Sequence, residues 1–122
     1  MRTVEVPLDH GLKIGETVET LAVLRETTAA DVIDATEESE RLFQATDGPC
    51  LVASPCMVGM HTLRRQIVSI GDHKGPLTIG ELKRLSSADL GLLQEKAVEM
   101  ETAALKGVTG RGRLAAGTEN PD

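Results

Sequence analysis

The side chains best suited to chemistry are Cys50, Cys56, His61 and His73. Thiolates and imidazoles are zinc ligands, but structural zinc sites usually space paired cysteines by two to four residues. Here five residues separate Cys50 from Cys56, and the two histidines stand well apart, across a predicted helix. A cysteine nucleophile needs an adjacent base and an orienting group. Neither cysteine has a neighbouring Asp-His pair or glycine elbow; the pairs Asp9-His10 and Asp72-His73 fall in predicted loops. The "GRG" of Gly110 to Gly112 lacks the spacing of a phosphate-cradling loop and follows a helix rather than a strand. Asp31 and Asp34 share a helix face, where open solvent would leave their acidity ordinary. The residues therefore predict no catalytic centre, no metal and no cofactor.

Composition narrows the classes further. The chain has 122 residues, enough for one modest core, a net charge of -6 and a single aromatic residue, Phe43. An acidic chain lacks the basic footprint of a nucleic-acid binder. One aromatic leaves no platform for stacking on bases or sugars. No apolar run reaches the roughly 18 residues of a membrane span, and the N-terminus "MRTVEVPLDHG" alternates rather than forming a signal core. The expectation is a protein of a reducing cytoplasm with Cys50 and Cys56 as free thiols.

The elements follow from periodicity. Val4, Val6 and Leu8 alternate with polar residues as a half-buried strand, and Pro7 places it at a sheet edge. Asp9 to Gly11 reads as a turn, and Val18 to Arg25 as the returning strand of a hairpin or small meander. Thr27 or Thr28 then caps a helix predicted to run to Ala45, with Val32, Ala35, Ser39 and Leu42 on one stripe beside Ile33 and Phe43. Its remaining surface carries Asp31, Asp34, Glu37 and Glu38, a solvated face. Ser54-Pro55 starts a second helix on which Cys56, Met60, Leu63, Ile67 and Ile70 form a seam, closed by Gly71. "TIGE" from Thr78 is a capping box opening a short helix with Ile79, Leu82 and Leu85. "SSAD" from Ser86 starts another, with Leu90, Leu93, Ala97, Met100 and Ala104 down one face. Together these predict an α+β fold, an N-terminal β-hairpin on three or four short helices. Residues 1–106 form one domain and residues 107–122 a mobile Gly-rich tail. Acid gathers in Glu26 to Glu40 and base in Arg64, Arg65, Lys74, Lys83 and Arg84. Those groups could face each other within one chain or steer association between chains.

Two stretches carry a family resemblance. "VEVPL", a turn with glycine, then "LAVLRETTAADVIDA" is similar to the opening pattern of the tail assembly chaperones of Mu-like and other long-tailed bacteriophages. The matching residues are Leu21, Val23, Leu24, Arg25, Thr28, Asp31 and Ala35. "LRRQIVSIGDHKGPLTIGELKRLSSADLGLLQEKAVEM", Leu63 to Met100, resembles the family's helix, loop and leucine-rich pair with its Ser-x-x-Asp start. The resemblance implies a non-enzymatic chaperone that binds the tape measure protein, keeps it soluble and promotes assembly of tail tube subunits around it. It also implies a place in the cytoplasm of the infected host and absence from the finished virion. Such chaperones are often made in two lengths by a ribosomal frameshift. The apolar groove this activity needs is expected along Met57, Met60, Leu90, Leu93, Ala97 and Met100, where methionine packs adaptably. A small phage structural protein or homo-oligomeric adaptor is the alternative, and a thiol- or metal-dependent enzyme a third.

Overall fold

Val6, Leu8 and Leu12 bury their side chains from a single long strand, β1 (Thr3–Ile14), which turns at Gly15 into β2 (Thr17–Arg25). The computed structural model describes residues 2–116, with side-chain environments through residue 103. Asp9 to Gly11, expected as a turn, is instead a bulge inside β1. Between the pairs Pro7↔Leu21 and Leu12↔Glu19, β1 advances five residues while β2 advances two. Val6, Leu8 and Leu12 all reach the core, and the extra residues lie between Leu8 and Leu12, outside the paired register. Gly11 is required there: its φ is 80° and a Cβ would lie 2.5 Å from the Glu19 carbonyl oxygen.

The Thr28 hydroxyl caps α1 (Ala29–Ser39), with Asp31 rather than a glutamate as the reciprocal partner of the capping box. The helix predicted to reach Ala45 stops at Ser39. Glu40 to Ala53 form a hairpin, β3 (Glu40–Ala45) and β4 (Gly48–Ala53), paired in register from Glu40↔Ala53 to Ala45↔Gly48. The local cause is the Thr46-Asp47-Gly48 turn, in which Gly48 takes φ 116° and folds the chain back. Leu42 and Phe43 therefore leave the helical stripe assigned to them and stand in solvent.

Ser54 caps α2 (Pro55–Gln66) with Pro55 in the first turn, as the sequence predicts. The seam expected to continue helically to Ile70 does not. Ile67-Val68-Ser69-Ile70 becomes β5 (Ile67–Ile70), since β-branched side chains suit a strand and β2 offers an open edge. Ile67 and Ile70 lie three apart yet are both buried, because a register shift between Val23 and Leu24 offsets the pleat. β6 (His73–Lys74) completes an antiparallel sheet of order β1-β2-β5-β6, so Pro7 does sit on an edge strand. α3 (Ile79–Lys83) opens on the predicted capping box, and α4 (Ser87–Ala116) follows. Of the tail expected over residues 107–122, residues 107–116 belong to α4 and residues 117–122 lie outside the described residues. Ala104 lies beyond the described side chains.

One core joins these layers. Val6, Leu12, Leu24, Ile67 and Ile70 come from the sheet, Leu63, Leu82, Leu93 and Met100 from the helices, all nearly or wholly buried. The fold is α+β, as the sequence implies.

Candidate functional site

Three charged constellations hold the helices in place. At the start of α4, Asp89 is fully buried and its carboxylate accepts three backbone N–H groups from the β1 bulge. Asp9 donates to Oδ1 at 2.7 Å, while His10 and Gly11 donate to Oδ2 at 3.0 and 2.9 Å. Burial alone would raise the Asp89 pKa, but these three donors and Ser86 together hold it below the usual aspartate value. Ser86 caps the helix by accepting the Asp89 amide at 3.1 Å. Without a carboxylate here, three part-buried amides of a bulge would lose their side-chain partner.

On α1, Asp31 receives a two-pronged hydrogen bond from Arg25 at 2.7 and 2.9 Å, with Thr28 donating at 2.8 Å. The Arg25 guanidinium is the chief reason its pKa falls to about 2. Gln66 Nε2 in turn donates to the Arg25 carbonyl, tying the end of β2 to the end of α2. Near the other end of α1, Glu38 accepts from Arg64 at 2.9 and 3.0 Å and from Arg65 at 2.6 Å. Arg65 first, then Arg64, bring its pKa down to about 2. Burial keeps His61 below its ordinary pKa despite Glu38, so its neutral Nδ1 accepts from Arg64 Nε at 3.0 Å. Glu38 Oε1, 3.1 Å from that nitrogen, is then a neighbour rather than an ion-pair partner.

The predicted solvated face of α1 is thus only half right. Asp34 and Glu37 are exposed, but Asp31 and Glu38 fasten α1 to β2 and α2. Acid and base segregated along the sequence do meet inside one chain, through Glu38, Arg64 and Arg65.

Nucleophile and ligand candidates are dispersed. Cys50 and Cys56 are free and exposed, Cys56 having left the apolar seam assigned to it. His61 is engaged by Arg64, and His73 Nε2 sits 2.8 Å from Glu81. Among the described residues no three His, Cys, Asp or Glu side chains gather to hold a metal. No helix among them is long and apolar enough to cross a membrane.

Apolar side chains line open clefts between the helices. A groove of about 540 Å³ opens between α1, α2 and α4, walled by Val32, Gly59, Ala97, Val98 and Met100 with Glu26 and Glu101 at its rim. A second, smaller cleft of about 100 Å³ between α2, α3 and α4 is lined by Met57, Met60, Leu90, Ile79 and Leu82. The six residues expected to line one groove are therefore divided. Met57, Met60 and Leu90 share the small cleft, and Ala97 and Met100 the large one. Leu93 has no accessible surface and serves the core between them, because every helix of a small fold must commit one position per turn inward. Val32 and Val98 also wall the large groove; the sequence places Val32 on the apolar stripe of α1, and nothing in the periodicity singles out Val98.

Open apolar clefts, charged fasteners and an exposed apolar hairpin are together the features of this small α+β fold. Comparison with known proteins makes this specific. The family described as tail assembly protein gp41 matches residues 8–113, and the chain belongs to that family. It is 37% identical over 108 residues to the Mu-like prophage FluMu protein gp41 of Haemophilus influenzae, covering 88% of this chain and 85% of that one. It is 40% identical over 114 residues to the probable tail assembly protein gp41 of Escherichia phage Mu, covering 89% of this chain and 79% of that one. It is also 42% identical over 102 residues to the probable tail assembly protein FS-gp41 of the same phage, of which it spans 54%. No solved structure matches this chain.

Proposed function

We propose that this protein acts in phage tail assembly as a chaperone. It holds an apolar segment of the tape measure protein, keeps that long protein soluble and hands it to the tail tube subunits. The observation that carries this reading is the large groove of α1, α2 and α4. Its volume is that of a ligand pocket, its walls are largely apolar, and two of them, Val32 and Val98, are 46% and 60% exposed, more than residues of a folded core would be. Family membership supports the tail assembly setting, and a net charge of -6 suits a protein that must keep an aggregation-prone partner in solution. The dispersed cysteines and histidines support a role without catalysis. Its place of action is the cytoplasm of the infected host.

Co-expression with the tape measure protein tests this. The wild-type chain should raise the soluble fraction of the partner and co-purify with it. Val98→Asp, at an exposed groove position, should fold and lose that capacity, whereas Asp34→Asn on the solvated face should keep it. No rescue by a folded wild-type chain would refute the chaperone reading. Stoichiometric recovery of the chain in purified virions would replace it with a structural role in the particle.

A further inference from the structure

The β3–β4 hairpin presents apolar side chains on both faces. Leu42 and Leu51 oppose each other on one face, 69% and 64% exposed; Phe43 and Val52 lie on the other, 54% and 45% exposed. A two-stranded hairpin uncovered on both sides is at best marginally stable in water. The face with Phe43 and Val52 carries one charge, Arg41, which has no carboxylate within 4 Å among the described residues. The large groove has the complementary character: largely apolar walls and the exposed carboxylate of Glu101, with no cation among its described lining residues; its other carboxylate, Glu26, already faces Arg2 at 3.8 Å.

The two features lie at opposite ends of α1 and do not meet within the molecule. The groove is walled by the first turns of α1, from Ala29 to Val32, whereas the hairpin leaves from Ser39 at the opposite end. Eleven residues of helix separate these ends by roughly 16 Å. We propose that the occupant is a second copy of this chain, whose hairpin inserts its Arg41, Phe43 and Val52 face into the α1–α2–α4 groove. Arg41 meets Glu101, and Phe43 covers Val32 and Val98. Such a contact is heterologous: each copy offers a hairpin to one neighbour and a groove to another. Resting on the chaperone reading above, this self-association occupies the same groove as the tape measure segment, so partner binding displaces the neighbouring hairpin.

Light scattering on size-exclusion fractions of the full chain tests it across a concentration series. Wild type should exceed monomer mass, increasingly so at higher concentration. Phe43→Asp, with a disabled hairpin, and Val98→Asp, with a disabled groove, should each be monomeric with unchanged circular dichroism. Mixed together they should form a 1:1 dimer, because one intact hairpin and one intact groove remain. Arg41→Glu should weaken association, and adding Glu101→Lys to the same chain should restore it. A wild type that stays monomeric overturns the inference, as does a mixture that stays monomeric. Association that needs Phe43 but tolerates Val98→Asp also overturns it, in favour of hairpins pairing with each other. Any of these leaves the chaperone reading to its own test. Conversely, intact self-association without partner rescue removes the chaperone reading and leaves the contact between copies standing.

Discussion

Replacing Asp89 by asparagine keeps the size of the side chain but removes its charge and one of its two acceptor oxygens. In the native protein Oδ2 accepts from His10 and Gly11 and Oδ1 from Asp9, with the Asp89 side chain itself buried and the bonds part-buried. Asparagine can aim its single oxygen at His10 and Gly11, but its NH₂ then faces the Asp9 amide, donor against donor. Leaving that amide without a partner costs about 1–3 kcal/mol, and loss of charge assistance on the other two bonds adds roughly 1 kcal/mol. A destabilisation of about 2–4 kcal/mol is expected, a large share of the roughly 5–15 kcal/mol that stabilises a typical domain. Urea unfolding followed by far-ultraviolet circular dichroism measures it, with an unchanged m-value if the unfolded state is unaltered. Hydrogen exchange should show amides 9–11 protected in wild type and much less protected in Asp89→Asn. A variant within about 0.5 kcal/mol of wild type, the range of an ordinary surface substitution, would refute the assignment of Asp89 as the clamp of the β1 bulge.

Acid should weaken the Arg25–Asp31 junction in a defined window. Asp31 titrates at about 2 in the folded chain, below its ordinary 3.8, so its contribution is full above the ordinary value and lost as pH falls towards 2. The amount is on the order of 2 kcal/mol, and unfolding free energies of Asp31→Asn should lack that acid dependence; matching slopes would count against it. Leu93→Ala should cost about 2–5 kcal/mol by cavity formation, measurable by urea unfolding, whereas Val98→Ala should cost little because Val98 is exposed. Both cysteines should react with a thiol reagent in the folded protein without denaturant, since both are exposed. Protection of either would place it under a cover that the described residues do not supply.

The sequence by itself determined the features that depend on nearest neighbours along the chain. Alternation in Val4 to Leu8 specified a strand, Pro7 its edge position, and the Thr28, Ser54 and Thr78 caps the starts of three helices. These are legible because a cap or an alternating pattern is satisfied within a few residues. The α+β class followed from them, and so did the family, through the patterns of Leu21 to Ala35 and Leu63 to Met100. What only the tertiary structure decided is where an apolar run changes its partner. Ile67 and Ile70 fit a helical seam as well as a strand, and β2's open edge chose the strand. Leu42 and Phe43 fit a longer α1, but the chain reverses at Gly48 and pairs with itself instead. Asp89 looked like an ordinary first-turn acid until folding set it beside the amides of residues 9–11, some 80 positions away in the chain. Leu93 and Val98 are both apolar residues of one helix, yet one is sealed in the core and the other open to solvent. Periodicity assigns a residue to a face; only the packing of α1 and α2 against α4 determines how much of that face remains open.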